Sequence, residues 1–175
     1  MAAIQFGSVM QFGLSIINML GSSWKEAAFQ QCLSELNADY SEHENRIGKN
    51  WEFPRLGLEL SSRGDILYFI FYHFDTEATR QQIYQPYTGE LPAGISRSDT
   101  RKDVRKKLFR YPWSSERAIP CTPNYVIIWD SYELSAFEIL VATNEGPELL
   151  QHLSLTLYNK ESAEYSSELI FLTEQ

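Results

Sequence analysis

Three histidines, His43, His73 and His152, and two cysteines, Cys32 and Cys121, have the widest chemical reach in this sequence. Zinc sites draw on such residues at short spacing, and the sequence contains no CxxC, HxxH or HExxH. His73 falls in an apolar run, where an imidazole is expected to be hydrogen-bonded within the fold rather than to ligate a metal. A Cys–His nucleophilic pair is set by space, not by spacing. Cys32, on the apolar side of a helical pattern, reads as a small buried hydrophobe, and Cys121, after Pro120 in a loop, as the more exposed thiol. No GxSxG elbow occurs, since Gly94-Ile95-Ser96-Arg97-Ser98 departs from it. The nine glycines form neither GxGxxG nor a P-loop. Carboxylate pairs of the glycosidase kind cannot be singled out among 23 acidic residues. The expectation is a chain that is not an enzyme, with no catalytic residue, no metal and no cofactor.

Charge points to binding instead. The formal net charge is −8 and the sequence pI is near 4.9, which repels nucleic acid and suits a basic partner. The distribution is uneven: residues 97–117 hold eight basic and three acidic side chains, residues 118–175 one and nine. Arg97, Arg101, Lys102, Arg105, Lys106, Lys107 and Arg110, beside Phe109, Tyr111 and Trp113, have the interleaving that grips single-stranded nucleic acid. The acidic flanks oppose that use. The run reads as one solvated basic helix with Arg101, Lys102, Arg105 and Lys106 facing water, and no nucleic-acid partner is expected.

These groups must be held by elements that the pattern of apolar residues outlines. A chain of 175 residues, 43% hydrophobic and 14% aromatic, can bury a core without disulfides. Two cysteines suit a reducing compartment. No basic residue precedes Lys25, and the apolar run Val9–Leu20 is broken by Gln11, Gly13, Ser15 and Asn18. That run reads as a helix packed on the body, neither a secretory signal nor a membrane span, and a cytoplasmic location is expected.

Ser23-Trp24-Lys25-Glu26 fits a capping box ahead of apolar positions at Ala28, Cys32, Leu33 and Leu36. A polar stretch runs from Asn37 to Asn50. Trp51–Leu60 and Ile66–Phe74 read as two strands of a hairpin around Gly64-Asp65, the second apolar on both faces. Turn signals at Pro86–Gly89 and Leu91–Gly94 mark a boundary. Thr100 and Asp103 fit a second capping box, with Val104 and Leu108 as the apolar positions and Pro112 as the stop. Strands follow over Tyr125–Trp129, Phe137–Thr143 and Leu150–Tyr158, with a turn at Asn144-Glu145-Gly146. The tail from Asn159 adds a helix or an edge strand around Leu169–Leu172.

The second half repeats the plan of the first: Ser23 corresponds to Thr100, and Trp51 to Trp129. The expected fold is therefore α+β, with two tandem α-β-β-β halves, antiparallel sheets and helices packed on one side. Residues 1–86 form the first half with its N-terminal helix and 87–175 the second with its tail, together one compact unit.

Two segments carry a family resemblance: LSELNADYSEHENRIGKNWEFPRLGLELSS at 33–62, and YTGELPAGISRSDTRKDVRKKL at 87–108 followed by Trp129-Asp130-Ser131-Tyr132. In these the chain resembles bacterial immunity proteins encoded beside polymorphic toxins of contact-dependent, Rhs or type VI systems. The helix-then-sheet repeat is similar to that of the β-lactamase inhibitor protein and of outer-membrane assembly lipoproteins. Leu108-Phe109-Arg110-Tyr111-Pro112 lacks the Gly of the family's Leu-Gly-x-Pro.

The resemblance implies a protein that binds a cognate toxin, a basic one, and blocks its active site; it carries over no catalytic residues. An adaptor or chaperone for a secreted effector is the alternative. Candidate contact residues are Asp39, Glu42 and Glu44 in the polar stretch and Glu145 and Glu148 around the second hairpin. Neither the toxin's chemistry nor the oligomeric state follows from the sequence.

Overall fold

The computed structural model describes residues 16–36, 38–74, 77–78, 83–118, 127–144 and 149–173. Their order is α1 (Ala27–Glu35), β1 (Ser41–Glu44), β2 (Lys49–Phe53), β3 (Leu58–Arg63), β4 (Ile66–His73), β5 (Glu77–Ala78), β6 (Ile83–Tyr84), a 3-10 turn (Pro92–Gly94), α2 (Arg101–Lys107), β7 (Trp113–Ala118), β8 (Ile127–Glu133), β9 (Phe137–Asn144), β10 (Leu150–Leu157) and α3 (Tyr165–Thr173). The class is α+β. Eight strands form one antiparallel sheet in the order β1-β2-β3-β4-β10-β9-β8-β7, and β5 pairs only with β6.

The sheet consists of two meanders, each preceded by a helix, that meet where β4 lies antiparallel to β10. Each meander has four strands rather than the three expected of each half, and the two meanders share a single sheet. Two strands of this sheet were hidden in the sequence. β1 lies inside the polar stretch 37–50, and β7 lies just after the basic helix. Trp51–Leu60 is not one strand, because the chain reverses at Pro54–Gly57, where Leu56 N–H donates to the Phe53 carbonyl (3.0 Å) and Gly57 has φ 66°. The Gly64-Asp65 turn, with Gly64 at φ 57°, joins β3 to β4 as the sequence implied.

All three helices pack on the same side. Phe29 of α1 meets Trp51 of β2 at 5.1 Å between ring centroids, and Tyr165 of α3 stacks on Phe137 of β9 at 5.4 Å. Arg101 and Arg105 of α2 reach Asp130 of β8. Beneath the helices the alternate residues Leu58, Leu60, Ile70, Tyr72, Leu153, Leu155, Ile139, Val141 and Tyr132 are fully or almost fully buried. This is the core, continuous across both meanders.

The helix starts divide the two capping boxes. At α2, the Thr100 hydroxyl accepts from the Asp103 N–H and the Asp103 carboxylate accepts from the Thr100 N–H. At α1, the helix begins only at Ala27, after Glu26, with no side-chain cap. Ser23 instead forms a β-bridge with Ile66, and Glu26 accepts weakly from the Ser23 N–H at 3.4 Å. Tertiary pairing takes the serine that local pattern assigns to the helix. The expected N-terminal helix enters the described residues only at Ile16 and Ile17, both fully buried. The tail resolves as a helix: α3 buries Leu172.

Candidate functional site

Strand register fixes which side chains share the face away from the helices. Across the four contiguous strands β4-β10-β9-β8 they form three rows. The first is Phe69, Thr156, Glu138 and Glu133. The second is Phe71, Ser154, Leu140 and Ser131. The third is His73, His152, Ala142 and Trp129. Period-two alternation sends Ile70, Tyr72, Leu153, Val141 and Asp130 to the helices and these twelve residues to the far side. Among the described residues no helix packs on this far face. Phe69, Phe71, Leu140 and Trp129 are half-buried there.

One end of the face is a packed aromatic and imidazole cluster. His73, 3% exposed, stacks on Tyr84 at 4.0 Å and lies edge-on to Phe71 at 4.8 Å and to His152 at 5.7 Å. His152 in turn stacks near Trp129. His73 Nε2 is 2.7 Å from Glu59 Oε1 of the adjoining β3. Burial pushes the Glu59 carboxyl up, but the hydrogen bond and charge of His73, a hydrogen bond from Tyr84 and the field of His152 outweigh it and leave the group below its ordinary value. A carboxylate–imidazole pair is the equipment of general acid–base chemistry. Here the ring is walled in by Tyr84 and Phe71, so the pair ties β3, β4 and the Tyr84 segment together. Among the described residues no group of histidine, cysteine and carboxylate side chains could hold a metal ion.

The other end is acidic and hydroxylic. Glu138 accepts from the Ser131 hydroxyl at 2.6 Å and from the Tyr158 hydroxyl at 2.5 Å. Burial, then the hydrogen bond and charge of Glu138, push the Tyr158 phenol up to about 12. Tyr158 is 60% exposed, so this arrangement stands at the surface.

On the helix side Asp130 and Asp99 have cations. Asp130, 2% exposed, binds Arg101 through Nε (2.9 Å) and Nη2 (2.6 Å), Arg105 through Nε (2.9 Å), and the Ser115 hydroxyl. Burial pushes this carboxyl up, and the hydrogen bonds from Arg101, Arg105 and Ser115 outweigh it and hold it at about 2. Arg101 and Arg105 therefore do not face water as the sequence implied. They turn inward, and Arg105 also lies 4.0 Å over the Trp113 ring. Asp99 meets Lys107 at 2.6 Å.

The acidic residues singled out from the sequence lie elsewhere. Asp39 precedes β1 and pairs with Arg55 at 3.3 Å. Glu42, on the edge strand β1, pairs with Lys49 at 2.8 Å. Glu44, at the end of β1, borders a hollow of about 230 Å³ with Trp24, Lys25 and Asp65. Glu145, Glu148 and Cys121 fall outside the described residues. Cys32 is buried on α1 as expected, and burial, then the charge of Glu35, push its thiol up to about 11. The far-face grid escaped sequence reasoning, although its signal was present: Ile66–His73 is apolar on both faces, and that reads equally as a strand covered on both sides.

Comparison with protein-family models, with curated proteins and with solved structures finds no match to this chain. No helix among the described residues is long and apolar enough to cross a membrane.

Proposed function

We propose that this chain is a binding protein that neutralises a cognate bacterial toxin by covering its active site, as the resemblance to immunity proteins implies. The observation that supports it most is the far face of the sheet. It offers Phe69, Phe71, Leu140 and Trp129 to whatever docks there, whereas the opposite face is filled by three helices. Aromatic and aliphatic residues on a flat, rigid sheet are interface material. A stable complex buries about 800 Å² per partner. Four strands about 4.8 Å apart and five residues long cover only about 200 Å², so the grid is the centre of such an interface and the flanking strands its rim.

The two halves fit a tandem duplication, supported by the mirrored strand order about the β4–β10 pair. The correspondence of Trp51 with Trp129 does not support it, because Trp51 points to the helices and Trp129 to the far face. A profile of homologous chains whose halves fail to align with each other would remove the duplication.

The test of function is growth. Each protein encoded beside this gene is expressed alone and with this chain in a sensitive host. A neighbour that kills alone and is tolerated with this chain supports neutralisation. Phe71→Lys and Leu140→Arg should abolish the rescue without unfolding the protein. A neighbour that is bound but keeps its full toxicity transfers the assignment to an adaptor of a secreted effector.

A further inference from the structure

Among the described residues, three carboxylates on the helix side are met by cations, and one on the far face is not. Asp130, Asp99 and Glu42, on the helix side, are each met by a lysine or arginine. Glu138, on the far face, is held by two neutral hydroxyls, Ser131 and Tyr158. Hydroxyl donors orient a carboxylate but leave its charge in place. Glu133 stands directly opposite it across the β8–β9 pair and is exposed. The four contiguous strands β4, β10, β9 and β8 that carry the grid contain no lysine or arginine, and Arg63 stands at the end of the adjoining β3. Two carboxylates side by side repel each other and cost stability unless something cationic approaches.

We infer that the far face docks a basic protein surface, with an arginine or lysine of the partner seated on Glu138 and Glu133 and its apolar neighbours lying over Phe69, Phe71 and Leu140. The inference deepens the proposed function by naming the partner's chemistry and the residues that select it. Complementarity decides the class. Polyanions such as nucleic acid and acidic lipid surfaces are repelled by Glu138 and Glu133. An uncharged apolar partner would leave both carboxylates desolvated without compensation. A cation next to aromatic side chains satisfies both, with the guanidinium group the better match to an oriented carboxylate. Phe69 and Glu138 lie two strands apart in the same row, about 10 Å, which is the span of one long basic side chain and an apolar neighbour on the partner.

The probe is an unbiased phage library of displayed twelve-residue peptides, panned against the full chain and counter-selected on Leu140→Arg, with circular dichroism verifying that each variant is folded. The expected result is enrichment of peptides carrying arginine or lysine beside aromatic or aliphatic residues. Their affinity should fall at least about tenfold in Glu138→Gln, fall similarly in Glu133→Gln, and weaken steeply with salt. Enriched peptides that are acidic or uncharged, peptides insensitive to Glu138→Gln, or no enrichment over Leu140→Arg would each overturn the inference. The growth assay separates the two claims. Rescue with a partner that is not basic sinks only the charge assignment, while basic peptides without any rescue sink only neutralisation.

Discussion

Arg101 grips Asp130 with two donors of its guanidinium, Nε at 2.9 Å and Nη2 at 2.6 Å, and so fastens helix α2 to strand β8. Arg105, one turn further on, closes on the same carboxylate at 2.9 Å. Two cations on one carboxylate that is 2% exposed make Asp130 the hinge of the second half's packing. Its replacement leaves both guanidinium groups crowded and uncompensated. Asp130→Ala should cost about 3 kcal/mol, the lower part of the range for breaking a buried pair, because Arg105 can turn toward water. Urea midpoints check this. The pH dependence has a definite sign. The folded carboxyl lies at about 2, below its ordinary value of about 3.9. Its contribution is complete above the ordinary value and is lost as pH falls through about 2. Wild type should therefore lose an increment of stability over that acid window, and Asp130→Ala should lack it.

Gly57 and Gly64 both have positive φ, but only one is crowded. A Cβ on Gly57 would come within 2.2 Å of the Gln85 carbonyl oxygen and 2.6 Å of the Tyr87 nitrogen, whereas one on Gly64 would meet nothing within 4 Å. Gly64→Ala should cost about 1 kcal/mol, the strain of a left-handed residue. Gly57→Ala should cost clearly more, at least about 2 kcal/mol, since backbone atoms cannot give way cheaply. Equal losses in thermal or urea unfolding would mean that the segment carrying Gln85 and Tyr87 moves aside freely.

These glycines mark how far the sequence could be read. Gly64-Asp65 announced its turn because residues with the right conformational freedom sat between two apolar runs. Thr100 and Asp103 announced α2 because capping is a local interaction. Pro54 and Gly57 also bracket a turn, but apolar residues on both sides made one long strand look plausible. β1, with the sequence Ser-Glu-His-Glu, has no apolar face at all; it exists because Glu42 and Glu44 pair across to Trp51 and Lys49 of β2. The far-face grid was legible only as double-sided apolarity in β4. His73 and His152 are 79 positions apart in sequence and directly opposite in register, and no spacing rule reports that. The inward turn of Arg101 and Arg105 was hidden for the same reason, since Asp130 lies 29 and 25 positions away.

Cys32 should be chemically silent in the folded protein. It is 7% exposed, and burial followed by the charge of Glu35 raises its thiol to about 11. Near pH 8 almost none of it is thiolate, which is the reactive form. In a Cys121→Ser background, iodoacetamide followed by mass spectrometry should find Cys32 unmodified while the protein is folded and labelled once urea unfolds it. Labelling at the rate of a free cysteine in the folded state would contradict both the burial and the raised value.

Glu168 ties the last helix to the sheet. Its carboxylate, 7% exposed, accepts from the backbone N–H groups of Ser135 at 2.8 Å and Ala136 at 2.9 Å, at the turn between β8 and β9. These donors have no place in the strand ladder, so α3 satisfies them from outside. Tyr165, on the same helix, donates to the Leu20 carbonyl at 2.7 Å and so reaches the first half of the chain. Glu168→Ala orphans the buried Ala136 donor and the part-buried Ser135 donor and should cost about 1–3 kcal/mol. Glu168→Gln keeps one amide oxygen as acceptor and should cost less. Hydrogen exchange makes the test specific: amides of residues 165–173 should lose protection in Glu168→Ala while those of β9 and β10 keep theirs. Uniform loss across the sheet would show that α3 is an inseparable part of one cooperative unit, and no loss at all would show that Leu172 and Tyr165 hold the helix without the carboxylate.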